Sequence, residues 1–355
     1  MVVARTNRIY NYHVQISFKG VGTAARIGKK TSGYTGALAY QDTFVFFNKK
    51  CNLVLSRSKK YEDGTILSNV NNTVNSQILK ALLCYYAVTQ DFPTVDSISI
   101  VRKQVIAPDY TYAETADFIQ PIVSKVSRTL VCDPTIIDGL LDDNPRGLAL
   151  RISMSYWLKG IASDDAYYKF EHLWRAFNRL FMYYGGRPKE FDNMVLMRDF
   201  IINHSHLFPK SIAITNSYSD AQLSDYRWSR MILNDYDTLN KTNALADFVC
   251  RYHDGRIMRV LREKLACRNS NLAAAGLIAR VNNHISVHAT DIVDSELVTL
   301  IAIKYAYFVR NKMFHGEVLD GSFRIRNNNI DAEIQNLNEL LEVLVMEIME
   351  NYQHL

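Results

Sequence analysis

The sequence has no uninterrupted apolar run of 18 residues, so no stretch of it reads as a membrane-spanning helix. It has no CxxC. Its five cysteines, Cys51, Cys84, Cys132, Cys250 and Cys267, are scattered and odd in number. That argues against a disulfide framework or a thiolate zinc ribbon, and fits small buried hydrophobes in a reducing cytoplasm. The first 20 residues lack an apolar core followed by a small-residue cleavage site, so no secretory leader is expected. The glycine-rich stretch KGVGTAARIGKKTSGYTG, residues 19–36, matches neither a P-loop nor GxGxxG. Acid is scarce at one end. Residues 1–60 hold eleven Lys or Arg against the single acid Asp42, a net +10, whereas the other 295 residues hold 30 basic and 35 acidic groups, a net −5. So polarised a chain points to a polyanion partner near its N-terminus.

What is present is ordinary for a globular protein: 355 residues, 48% hydrophobic and 22% charged, enough for two domains with a core in each. IYNYHVQISF (9–18), TFVFFN (43–48) and CNLVLS (51–56) alternate in the manner of strands. The basic stretch between the first two reads as a mobile loop or a bent strand pair. NTVNSQILKALLCYYAVTQ predicts an amphipathic helix and SISIVRK a strand, so residues 1 to about 110 read as α+β. Residues 111–155 read as helical and could belong to the domain on either side.

From Ser163 onward every segment has helical spacing. SDDAYYKFEHLWRAFNRLFMYYGG places Ser163 as N-cap and Gly185-Gly186 as the stop, with Phe170, Leu173, Trp174, Phe177, Leu180 and Phe181 on one face. FDNMVLMRDFIINH predicts a further helix, ALADFVCRYHDGRIMRVLREKLA one or two, and LAAAGLIARVNNHISVH another. DSELVTLIAIKYAYFVRNKMFHG runs from Asp294 or Ser295 to Gly316. DAEIQNLNELLEVLVMEIMENY follows, with Ile334, Leu337, Leu341, Leu344 and Ile348 on one face and acids opposite. This is a bundle pattern. The expected organisation is a domain over 1–150 and a helical one over 151–355.

In VRNKMFHGE (309–317), Asn311 and His315 stand one turn apart on an ideal helix and Arg310 stands about 100° round from Asn311. A guanidinium, a carboxamide and an imidazole offer a phosphate clamp, an orienting group and a proton shuttle. Those are the needs of RNA cleavage by 2′-hydroxyl attack, which requires no metal. The plainer reading is a helix end: Arg and His in a last turn complement the helix dipole and its orphan carbonyls.

YFVRNKMFHG resembles the signature of the HEPN (higher eukaryotes and prokaryotes nucleotide-binding) family, and YYKFEHLWRAFNRLFMYYGG resembles an early helix of that family. The order of the two segments and the acidic helix after 330 fit as well, over roughly residues 160–355. The resemblance implies a HEPN-like helical bundle there; with the basic α+β domain read from the N-terminal pattern, of no recognised family, the expected fold is mainly α. The resemblance further implies a homodimer that joins two R-N-x-x-x-H motifs in one cleft. It also implies metal-independent endoribonuclease activity in which Arg310 and His315 are catalytic and Asn311 supports them. Many members act on tRNA or other RNA in bacterial toxin or anti-phage systems, with room for an antitoxin or activator partner; others are non-catalytic RNA- or protein-binding modules. One branch carries a tyrosine two places after the histidine, where this chain has Glu317.

Glu171 and Asn178, seven apart on the Leu-Trp helix, are candidates to support the catalytic His; the alternative is a polar edge bonded within its own surface. Arg26, Lys29, Lys30, Lys49 and Lys50 are candidate RNA contacts, interleaved with Tyr10, Tyr12, Phe18, Tyr34, Tyr40 and Phe44. The aromatics read better as sheet core than as base-stacking platforms. His284 and His288 have a zinc-compatible i,i+4 spacing but lack the Glu of HExxH, and His204 and His206 read as a cap and turn. No metal, cofactor or membrane partner is expected.

Overall fold

The computed structural model of the chain describes residues 9–19, 28–34, 40–62, 64–69, 71–88, 94–103, 108–115, 132–314 and 329–355. These fall into two compact units, one reaching to Ser163 and including Met349–Leu355, the other Asp164–Ile348. The molecule is mainly helical with an antiparallel sheet near its N-terminus.

The sheet joins β1 (Tyr10–Lys19), β2 (Gly28–Tyr34), β3 (Tyr40–Phe47), β4 (Lys50–Arg57), β5 (Thr94–Lys103) and β6 (Pro108–Thr115) in the order β2-β3-β4-β1-β5-β6, every pair antiparallel. Its alternation sends Tyr12, Val14, Ile16, Phe44, Leu53, Leu55 and Ile100 into the core. Helix α1 (Thr73–Val88) packs on that face, with Phe18 stacked on Tyr85 at 4.1 Å. Tyr10, Tyr12, Phe18 and Phe44 are therefore core residues, as their alternation implies. The side chains of Tyr34 and Tyr40 lie outside the described residues. Two of the charges in the basic segment are also internal. Asp42 and Arg57 are buried as a bidentate pair at 2.7 and 2.8 Å, with Gln77 donating to the same carboxylate at 2.9 Å.

The helical reading of 111–155 needs correction. Pro108–Thr115 is a strand, because β5 supplies a pairing edge that local composition does not reveal. Residues 116–131 of that stretch lie outside the described residues; beyond them come α2 (Ile136–Leu141) and α3 (Pro145–Ile161), and the expected boundary at 150 falls inside α3.

In the second unit the Leu-Trp helix is α4 (Ala166–Gly185). Its N-cap is Asp165, whose side chain accepts from the Tyr168 N–H at 2.7 Å, in place of the expected Ser163. It stops as predicted: Gly186 takes a left-handed φ of 60° and its N–H bonds Met182 O. There follow α5 (Glu190–Asn203), α6 (Pro209–Asn216), α7 (Asp220–Asp225), α8 (Trp228–Asp235), α9 (Thr242–Val249), α10 (Gly255–Lys264), α11 (Asn269–Ala274) and α12 (Ile278–Val287). Helix α15 (Asn329–Glu350) buries Ile334, Leu337, Leu341, Leu344 and Ile348 completely. Its acids are not all opposite that face. Glu333 is buried against Arg227 at 2.7 and 2.9 Å, and Glu347 accepts the Lys210 and Ser211 N–H groups at the start of α6. A periodic pattern cannot foresee such partners, which come from other elements.

Candidate active site

The motif helix runs as α13 (Asp294–Thr299), a π-helical turn (Leu300–Tyr305) and α14 (Ala306–Phe314). Asp294 and Glu296 occupy its first turn, where the exposed N–H groups favour negative charge. Leu297, Val298, Ile301, Ala302, Tyr305, Phe308 and Val309 anchor it in the core. A π turn within an α-helix is rare and is frequently found at functional sites. Here it ends five residues before Arg310.

The anchoring at the π turn is strong. The Tyr305 hydroxyl accepts the Arg227 backbone N–H at 2.7 Å, and its ring packs edge-on to Tyr226 and at an angle against Trp228, at 4.8 and 4.7 Å. Burial pushes the Tyr305 phenol far above its ordinary range, so it stays neutral. Arg227 pairs with Glu333 and lies over the Phe308 ring at 5.9 Å, tying α14 to α15. Lys304 bonds Asp235 at 2.5 Å and sits over the rings of Tyr236 and Phe248.

Beyond the π turn, Tyr307, Arg310 and Asn311 lie at i, i+3 and i+4 and so share one face, which is half-buried. Tyr307 meets Trp174 of α4 at 6.1 Å, so the two segments that carry the family resemblance are in contact. Arg310 Nη1 donates to Asn311 Oδ1 at 2.9 Å, which orients the guanidinium plane on the helix. His315 lies outside the described residues, so the third member of the trio has no geometry here.

The supporting candidates are engaged elsewhere. Glu171 pairs with Arg175 on its own helix, and Asn178 donates to Glu190 Oε1 of α5 at 2.8 Å. Of the basic candidates, Lys30 pairs with Asp138 at 3.0 Å, Lys49 is exposed, and Lys50 stands over Phe47 at 5.3 Å. Arg26 and the Lys29 side chain lie outside the described residues.

Sequence reading missed a pocket beside this helix. Phe191, Met194, Tyr252, Ile303 and Tyr307 form apolar walls, and Arg251 stands among them with Arg198 and Lys304, which are paired with Asp199 and Asp235. A planar apolar ring suits such a lining. The sole signal in the chain was that Lys304 and Tyr307 precede Arg310 by six and three residues.

Among the described residues, a group able to ligate a metal meets the first turn of this helix, where His253 Nδ1 lies 3.0 Å from Glu296 Oε1. His284 of α12 and His288, at its C-cap, are joined by His253, and one ring nitrogen from each lies within 4.8 Å of the others. The expectation of no metal rests on two histidines; the third comes from a distant segment.

No family model, curated protein or solved structure matches the chain.

Proposed function

We propose that the helical unit is a metal-independent endoribonuclease of the HEPN type, acting in an anti-phage or toxin-like role. In this reading the 2′-oxygen of RNA attacks the adjacent phosphorus and the bond to the 5′-oxygen breaks. A 2′,3′-cyclic phosphate and a free 5′-hydroxyl result, and no water is consumed. His315 transfers a proton at the 2′-hydroxyl or the leaving oxygen. Arg310 holds the charged phosphorane through its planar fork, with Asn311 fixing that plane through the 2.9 Å bond. A second copy, docked through the same helical unit, brings a second motif into the cleft.

The observation that carries the reading is the Arg310–Asn311 pair on a half-buried helix face, one turn beyond Tyr307 and the largely apolar pocket that Tyr307 helps to line. The test is incubation of purified full-length protein with total cellular RNA, without added magnesium, followed by mapping of the cut ends. Cyclic phosphate ends made by the wild type and missing with His315→Ala support the proposal. RNA that is bound but not cut by the wild type would leave a binding module in its place.

A further inference from the structure

The segment after α9 and the end of α12 are drawn together by a close backbone approach. Gly255 donates its N–H to Asp291 O at 2.7 Å, and a Cβ there would lie 2.4 Å from Ala289 O, so only glycine permits the contact. Asp254, fully buried, caps α10 and accepts the Val293 N–H at 2.8 Å. This lacing sets His253 beside His284 of α12 and His288, the residue that caps its C-terminus and whose N–H bonds His284 O. The three rings have centroids 5.5, 4.6 and 4.5 Å apart.

Each imidazole has one nitrogen already oriented by a different partner. His253 Nδ1 meets Glu296 Oε1 at 3.0 Å, His288 Nδ1 meets Asp291 Oδ2 at 2.8 Å, and His284 Nε2 meets Tyr252 O at 2.7 Å. Two carboxylates and one carbonyl are the usual outer partners of metal-bound histidines, because they fix the tautomer and raise the basicity of the opposite nitrogen. Glu296 is itself fixed: it is buried, and its Oε2 accepts the Asp254 N–H at 3.0 Å. The nitrogens left to face a shared ligand are His253 Nε2, His284 Nδ1 and His288 Nε2.

We propose that His253, His284 and His288 form a binding site for one divalent transition-metal ion, with zinc the first choice. Three imidazoles without thiolate select this class of ion, and three protein nitrogens leave a fourth position for solvent. Tetrahedral zinc at about 2.0–2.1 Å from each nitrogen needs the nitrogens about 3.3 Å apart. One ring nitrogen from each histidine lies within 4.8 Å of the others, so bringing those nitrogens to that spacing calls for closure of no more than about 1.5 Å. The site opens to solvent, since the His253 side chain is 45% exposed, which provides an entry path. Its role is to staple the segment before α10 to the end of α12. It stands apart from the ribonuclease reading and does not depend on it.

The full chain, stripped with chelator and dialysed, is titrated with Zn²⁺ by calorimetry and with Co²⁺ by visible absorption. The expected result is one Zn²⁺ per chain and cobalt bands of a four- or five-coordinate nitrogen site, both abolished in His284→Ala and His288→Ala. Both persist in the His204→Ala/His206→Ala double variant, which removes the other closely spaced histidine pair. Should the alanine variants fail to fold, Asp291→Asn decides, because removing an outer partner should weaken binding by about 10- to 100-fold. No saturable Zn²⁺ binding by the wild type, or an affinity unchanged in the folded variants, overturns the proposal.

Discussion

Gly255→Ala puts the lacing of the second unit under the most direct strain. The new methyl carbon would sit 2.4 Å from Ala289 O and 2.8 Å from Ala289 C, with Asp291 O at 3.2 Å. Both neighbours at Ala289 are backbone, so no side chain can swing aside. Reaching ordinary contact requires a retreat of about 1 Å. That movement stretches the 2.7 Å bond from Gly255 N–H to Asp291 O past its useful range. Overpacking costs about 1–3 kcal/mol and the broken bond about 1 kcal/mol, together roughly 2–4 kcal/mol. For a unit of this size that is a melting-temperature drop of roughly 5–15 °C. Gly276→Ala is the comparison: its φ of 70° strains any side chain but nothing lies within 4 Å. The strain there costs about 1–2 kcal/mol. Thermal unfolding of both variants, followed by circular dichroism, separates the cases. A Gly255→Ala protein that melts within a degree of the wild type would refute the close approach, and with it the placement of His253 beside His288.

The other predictions concern charge. Burial alone would raise the Asp254 carboxyl, but the Arg256 guanidinium and the Val293 and Arg256 N–H groups outweigh it and hold it below its ordinary value of 3.8. A lowered carboxyl stabilises the fold fully above that value and forfeits its contribution as pH falls below it. Asp254→Asn should therefore lower stability by about 2 kcal/mol at neutral pH, a difference that shrinks below about pH 3.8 in denaturant titrations. Arg227→Met leaves the buried Glu333 without its partner and should cost about 3–5 kcal/mol by chemical denaturation. Alanine at Arg26, Lys29 and Lys30 should flatten the salt dependence of RNA affinity by up to about 0.7–0.9 in slope for each phosphate no longer neutralised. The fold should survive that change, because the half-exposed Lys30–Asp138 pair contributes less than about 1 kcal/mol.

Legibility in the sequence followed the range of the forces involved. The Leu-Trp helix could be read because its apolar stripe is a local periodicity and Gly186 is a local stop. Its cap shifted from Ser163 to Asp165 because two nearby acceptors compete and periodicity does not choose between them. Strand β6 was hidden because its partner edge is supplied by β5, and the inward turn of Glu333 and Glu347 because their donors lie on other segments. The π turn left no mark in the apolar pattern. Part of the three-histidine constellation shows as an i,i+4 pair, but His253 arrives only through the fold of the segment before α10.

The central claim is that Arg310, Asn311 and His315 cut RNA. The most direct test is the rate of cleavage by folded His315→Ala protein, at matched RNA occupancy and without added magnesium. The account predicts a fall of about 10² to 10⁴ with RNA binding and melting temperature retained, and a comparable fall in Arg310→Lys, which keeps the charge but not the planar fork. Cleavage at the wild-type rate in His315→Ala would contradict it.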